Sequence, residues 1–498
     1  MTDTQLIKSK YKSGIKWSTL NNTLIIIIQT IVGIILARLI DPSQFGLLGM
    51  ILVFINFAHV IRDIGLNHAL IQKANVSKTE YSTVFWTNLF LGIVFTVTFY
   101  FGASFIANIY ENQKLIALTK LLSFSFLFAS MSSIFRTIYF IKLDFRTLTI
   151  IDVLSIVLSS IAAIILAILG FGAWALVWQI LIGNIITFII FIVITDWYPS
   201  LIINISTIKQ LFPFGSIITL NTIFDSVKLN IDNFIIGKLS GEYNLGIYNR
   251  AFGLMRLPIT NLTNSIRKVM FPTLSKLKSE IKEIQNVYIR STRIVAFFAL
   301  PLMLGMWAVS QPFILGIYGE NWEKTIPILR VFSILGAIQS LNSFTGTIFN
   351  SLGYPHIPLY LKIINIPLTI IGLIYGFMYY NIMGIVYVLF FLNTSFVFIN
   401  IFLANRLIKL RNIDFFKHFT TPTICSIIMA SIVELLRHIT PLNRMQNIIQ
   451  LAILVITGIL IYTILVFASK SEILSDIFNH MFPSLKKCKL IKKYFKWI

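Results

Sequence analysis

Apolar runs of about twenty residues recur along the chain, separated by short polar or charged stretches. Twenty helical residues at ~1.5 Å each cross the ~30 Å hydrocarbon core of a bilayer. The runs are continuous rather than alternating, which excludes the strands of a membrane barrel. The pattern predicts fourteen transmembrane helices. The first six cover 18–40, 45–61, 81–109, 115–141, 150–169 and 174–195. The next six cover 211–237, 243–266, 291–310, 326–349, 357–379 and 382–404. The last two cover 416–434 and 447–468, and a basic amphipathic tail follows over 470–498.

Composition agrees with this reading. Hydrophobic residues make up 56% of 498 and charged residues 12%, against about 25% charged in soluble domains. The lysines at 8, 10, 12 and 16 precede an apolar run too long for a signal peptide, so that run reads as the first span. Cys425 and Cys488 are too few for a disulfide framework or a metal cluster.

Charge sets the orientation. With the N-terminus cytoplasmic, 28 of the 41 Lys and Arg residues fall on the cytoplasmic side and 6 on the other. The positive-inside rule therefore puts both termini in the cytoplasm. Most of the +22 net charge is topogenic. It is scattered over short loops, which argues against a nucleic-acid partner. The tail "SLKKCKLIKKYFKWI" mixes lysine with apolar residues and suits the anionic lipids of the cytoplasmic leaflet.

Two segments align without a gap at an offset of 200. "ARLIDPSQFGLL" runs from Ala37 to Leu48, and "GKLSGEYNLGIY" from Gly237 to Tyr248. Each closes one long span and opens the next. The second copy follows six spans, so both copies face the same side. This predicts two parallel six-helix lobes related by an axis along the membrane normal. The expected organisation is an N-lobe over 1–209, a C-lobe over 210–406, two extra helices over 407–469 and the tail over 470–498.

The segments "IVGIILARLIDPSQFGLLGM", "IDNFIIGKLSGEYNLGIYNRAFGLMRLP", "VMFPTLSKLKSE" and "ILGIYGENWEKTIPILRVFSI" are similar to the Wzx-type polysaccharide flippases of the MOP superfamily, above all to the colanic-acid-exporter branch. The resemblance covers at least residues 15 to 400. It implies an all-α inner-membrane transporter with two lobes around a central cavity. It also implies a substrate, an undecaprenyl-diphosphate-linked oligosaccharide carried to the periplasmic leaflet for exopolysaccharide, O-antigen or capsule synthesis. Other polysaccharide-assembly proteins then count among the candidate partners. Basic cavity residues would engage the diphosphate, and no catalytic residues or metal are expected.

Several polar residues sit inside the predicted spans. A charge at the bilayer centre costs roughly 2.5–3.5 kcal/mol on insertion scales. On a helical wheel Asn221, Asp225, Lys228 and Asp232 fall within about 60° of one another. Such a stripe suits a wet cavity, with Asp225 or Asp232 available for coupling to a proton or sodium gradient or to the membrane potential. It equally suits an internal bridge of Lys228 to its two aspartates. Asn22 and Gln29 form a weaker stripe on the first span, explained as well by interhelical hydrogen bonds.

Arg256 and Arg250 are candidates for the diphosphate, because the guanidinium fork donates to two oxygens at once. They lie about 120° apart on the wheel, and Arg250 is placed to snorkel at the periplasmic end. Lys228, Arg62 and Arg136 complete the set, the last two near the cytoplasmic mouth. Asp152 reads as a helix-start cap, and Arg330 as a partner of Glu320 or Glu323.

The rival readings are a lipid II flippase, a multidrug or cation antiporter of the same superfamily, and a membrane enzyme of polysaccharide assembly. The short predicted loops carry no His/Asp/Glu cluster and no phosphate-cradling Gly-rich loop, which argues against the enzyme.

Overall fold

The computed structural model describes residues 3–73, 75–277, 280–439 and 445–469. Within these, the side chains of 3–12, 15, 217–218, 221 and 265 lie outside the description. The predicted tail over 470–498 lies outside it as well. The chain divides into two compact units, Met1–Gly246 and Ile247–Ile498.

The described residues form helices joined by short turns. They are α1 (Asp3–Leu39), α2 (Pro42–Asp63), α3 (Leu66–Gln72), α4 (Lys78–Phe101), α5 (Ala103–Tyr110), α6 (Lys114–Ile141), α7 (Phe145–Ile168) and α8 (Ala173–Ile194). Then come α9 (Ile205–Lys276), α10 (Ile281–Ala308), α11 (Ser310–Phe313), α12 (Thr325–Ser340), α13 (Thr345–Leu352), α14 (His356–Leu407), α15 (Asn412–Lys417), α16 (Thr420–Ile439) and α17 (Asn447–Ala468). Among the described residues, 11 helical segments are long and apolar enough to cross a membrane.

The predicted spans coincide with these helices, with three differences. The span expected over 81–109 breaks at Gly102, and its remainder is α5. The span expected over 326–349 is divided into α12 and α13. The span expected to begin at 416 is led by the short α15, and its long helix starts at Thr420.

Local chemistry explains the ends. Ser77 caps α4 in a capping box with Glu80. The Asp144 carboxylate accepts from the Thr147 backbone N–H at 3.1 Å and starts α7. Pro42 opens α2, where its missing N–H costs no hydrogen bond. Two long elements are interrupted inside their length. Gly241, at φ 77° and ψ 178°, divides the 72 residues of α9 into two arms. Asn381, at φ 52°, divides α14. The α14 arms approach so closely that a Cβ on Gly384 would stand 1.8 Å from the Gly376 carbonyl oxygen.

In the first unit α1 packs on α7, α7 on α8, α8 on α6 and α6 on α4. Phe85, Phe135 and Phe191 fill the core there, the last two stacked at 6.1 Å. Small polar residues line the seams, as helix association in lipid requires. A Cβ on Gly92 of α4 would lie 2.4 Å from Ser130 Oγ of α6. The outer face of α7 shows Ile150, Leu154, Leu158, Ile161, Ile165 and Ile168, all exposed. An apolar stripe of that length belongs against lipid tails.

In the second unit α10 packs on α12 and α12 on α14, and α16 with α17 attaches to α10. A buried ionic network fixes α16. Arg437 donates to both Glu434 oxygens, at 2.6 and 3.0 Å, and to Gln311 Oε1 at 2.5 Å. Arg330 reaches the same carboxylate at 3.2 Å and Ser310 Oγ at 3.0 Å. The partner expected for Arg330 was Glu320 or Glu323. The structure pairs it with Glu434, a hundred residues away, because α12 and α16 both pack on α10.

The Arg437 side chain is only 6% exposed, so its loss would leave the Glu434 carboxylate with Arg330 and the exposed His438 ring at 3.4 Å. Arg437→Ala is expected to cost about 3–5 kcal/mol, read as a lower melting temperature of the detergent-solubilised protein. Arg437→Lys keeps the charge without the fork and should lose less. An unchanged melting temperature in the alanine variant would contradict the network's structural role.

Candidate intramembrane charge sites

In the first unit the strongest charged constellation joins three helices. Arg136 of α6 holds Asp152 of α7 with two hydrogen bonds, at 2.5 and 3.3 Å. Asn21 of α1 donates to the same carboxylate at 2.9 Å. Asp152 is therefore not a helix cap, since Asp144 fills that role. Arg136 lies five residues from the end of α6 and Asp152 seven from the start of α7. At ~1.5 Å per residue the pair sits roughly 7–10 Å inside its helices. Asp152 is nearly buried and Arg136 partly exposed, at 14% and 37% of their side chains. Among the described residues the buried Asn21 Oδ1 atom has no hydrogen-bond partner.

Arg62, near the end of α2, donates to the Phe126 carbonyl at 3.4 Å, and the His59 ring lies 4.5 Å from the Phe126 ring. On α1, Asn22 and Gln29 are both exposed. Exposure on a membrane helix means a face toward lipid or toward a cavity. The neighbouring Asn21 is the residue that engages the ion pair.

On α9 the expected stripe divides. Asp225 and Lys228 are exposed, whereas Asp232 is 7% exposed and accepts from the Asn233 backbone N–H at 2.9 Å. Asn221 lies on the same arm, with its side chain outside the described set.

The two arginines of the second α9 arm also separate. The Arg250 guanidinium sits 5.1 Å from the Tyr318 ring and 5.1 Å from the Trp322 ring. Both rings belong to a tight connection after α11, a π-turn over Ile314–Tyr318 and a 3₁₀ turn over Glu320–Trp322. Trp322 is fully buried. Arg250 is thus held by aromatic faces rather than snorkelling at the helix end. Arg256 is exposed, and the Phe252 ring of the preceding turn lies beside it at 5.9 Å.

Asn21 and the Glu434 network escaped the reading of the sequence. Arg437 and Glu434 are spaced three apart on a helix, a local signal that was available. Nothing in the sequence pairs Asn21 with Asp152 across 131 positions. Among the described residues no group of three or more His, Cys, Asp or Glu side chains could hold a metal ion, and Cys425 is a buried free thiol.

The chain is similar to known proteins. TuaB, a teichuronic acid biosynthesis protein of Bacillus subtilis, is 28% identical over 360 residues, covering 71% of this chain and 74% of its own. The lipopolysaccharide biosynthesis protein WzxC of Escherichia coli is 25% identical over 348 residues, covering 69% and 70%. The solved structure of the lipid II flippase MurJ in an inward closed conformation superposes with a TM-score of 0.67 at 19% identity, over 90% of this chain and 97% of that one. The helical fold is therefore the one that flippase also has. The profile of the family described as polysaccharide biosynthesis protein matches residues 35–327, and the chain belongs to that family.

Proposed function

We propose that this protein is a flippase that moves an undecaprenyl-diphosphate-linked oligosaccharide from the cytoplasmic to the periplasmic leaflet of the bacterial inner membrane. The observation that carries the reading is the family match over 35–327, on a fold shared with a lipid flippase. The product enters exopolysaccharide, O-antigen or capsule synthesis. The protein works as a transporter, not as an enzyme, and both termini lie in the cytoplasm.

Fourteen crossings fit the helices when α9 and α14 are each counted as two arms. The α9 arms fall outside the purely apolar segments because they carry charge, as a substrate-facing helix must. The packing order α4–α6–α8 recurs as α10–α12–α14, which supports two lobes built from one repeat.

The substrate's diphosphate is a dianion that must shed water to enter the protein. A guanidinium with open donors can replace that water. Arg256 is the residue of this description. Lys228 is exposed one helical arm earlier and would contribute a point charge. Arg62 and Arg136 would meet the headgroup nearer the cytoplasmic side. Arg250 is held by two rings, so its part would be to steady the second α9 arm. Asp225, and behind it the buried Asp232, would serve coupling to a proton or sodium gradient.

Arg256→Ala should reduce glycan export about tenfold or more, the scale of one lost charged contact, with normal amounts of protein in the membrane. Arg256→Lys should recover part of it, since it restores charge without the fork. Full export by a well-expressed alanine variant would remove Arg256 from the site. Asp225→Asn should flatten the dependence of export on the coupling ion, and an unaltered ion dependence would refute coupling through Asp225.

A further inference from the structure

Between α8 and α9 the chain runs without helix from Thr195 to Asn204. Backbone N–H and C=O groups outside a helix need other partners, most of all beside lipid. Side chains of α4 supply them. The Ser200 backbone N–H and its hydroxyl both donate to Ser82 Oγ, each at 3.0 Å. The Asn204 N–H donates to Thr83 Oγ1 at 3.1 Å. The Trp86 indole N–H donates to the Ser200 carbonyl at 2.8 Å. Ser82 and Thr83 are buried, and their own hydroxyl hydrogens go to the Lys78 and Thr79 carbonyls. Their oxygen lone pairs are thereby turned toward the strap.

Aromatic rings complete the inner face. Trp197 packs edge-on against Tyr81 and Phe135, with centroids 5.9 and 5.8 Å apart. The Tyr139 hydroxyl donates to the Ile194 carbonyl at 3.2 Å. Asn204 Oδ1 accepts from the Ser206 N–H at 2.9 Å and caps α9. All these residues belong to the unit Met1–Gly246.

With its inner face sewn to α4, the strap turns apolar side chains outward. Tyr198, Leu201, Ile202, Ile203 and Ile205 are exposed, Leu201 to 87%. The same surface continues onto α8, where Ile189, Ile192, Val193 and Ile194 are exposed on a helix long and apolar enough to cross a membrane. From position 195 to position 205 the only charged residue is Asp196. Trp197 and Tyr198 follow the helix end directly, the level at which such rings gather at a bilayer surface. A backbone satisfied from within and an apolar outer face are the two conditions for lying against lipid.

We propose that residues 198–205 form an interfacial anchor, seated where lipid headgroups meet acyl chains, with the bilayer itself as its partner. The anchor extends the lipid-facing surface of α8 past the end of that helix and sets the level at which α9 begins. The buried hydroxyls of α4 hold its shape, and its outer side chains hold its depth.

The test uses the full chain with Cys425 and Cys488 replaced by serine, reconstituted into vesicles of phosphatidylcholine and phosphatidylglycerol. One cysteine at a time, Leu201→Cys, Leu158→Cys or Gln113→Cys, carries a bimane fluorophore. Quenching is read with iodide present on both sides of the membrane, and with lipids bearing a nitroxide near the headgroup or near the chain end. Leu158 lies midway along α7 on its exposed face, so the chain-end nitroxide should quench it more. Gln113 lies in the turn before α6 and should respond to iodide. The Leu201 reporter should be quenched severalfold more by the headgroup-level nitroxide than by the chain-end one, and severalfold less by iodide than the Gln113 reporter. Adding Ile203→Asp should raise iodide quenching at Leu201 severalfold and leave Leu158 as it was, because a carboxylate draws the strap toward water. An iodide response at Leu201 equal to that at Gln113 overturns the anchor. So does a Leu201 reporter that neither quencher reaches, the result expected if a second copy of the chain covers the strap. An unchanged profile in the Ile203→Asp variant contradicts it too. No glycan enters the measurement, and the result stands whichever leaflet the strap faces.

Discussion

A charge placed in hydrocarbon must be met inside the protein, because no water is there to meet it. That constraint accounts for how many of these helices pack. Arg136 is met by Asp152 and thereby ties α6 to α7, with Asn21 drawing in α1. Glu434 is met by Arg330 and Arg437, which bolts α16 to α12 and α11. Arg250 is met by the faces of Tyr318 and Trp322, the two rings that the irregular segment after α11 buries. Each interaction places a polar group where only a partner makes it tolerable, so each also fixes a helix in register.

The second device is the removal of side chains. Where lipid is as apolar as leucine, helices gain little by burying leucine against leucine. They gain by approaching closely, and glycine permits it. Gly92 against Ser130 and Gly384 against Gly376 close the seams within units. Gly46 and Gly246 do so at the turns of the repeat. Polar pairing and glycine approach are complementary. The first sets which helices meet, and the second sets how near they come.

Much of the fold was legible in the sequence because apolar run length is a direct statement about bilayer thickness. The run from 150 to 169 lies on α7, and that from 447 to 468 on α17. The turn at Gly241 was legible because its segment is similar to the one around Asp41, between α1 and α2. The charge sites were harder to read. The partners of Asp152 and Arg330 lie on other helices, at sequence separations of 16 and 104, and a helical wheel carries no information about its neighbours. The wheel chose Asn22 and Gln29 on α1, whereas the ion pair selects Asn21, one residue and 100° away. Asp225, Lys228 and Asp232 share a stripe on the wheel but not a degree of burial, because a cylinder does not know where its neighbours end.

A substrate with a charged diphosphate and a long lipid tail needs charge within reach of an apolar exit. Under the proposed function the α9 arms would supply that charge, and the exposed stripe of α7 marks a face toward lipid. The most direct test is the leaflet distribution of the lipid-linked glycan in cells depleted of this protein. The account predicts that undecaprenyl-diphosphate-linked oligosaccharide accumulates in the cytoplasmic leaflet and moves outward when the protein is restored. Equal arrival of the glycan at the periplasmic leaflet in depleted and replete cells would contradict it.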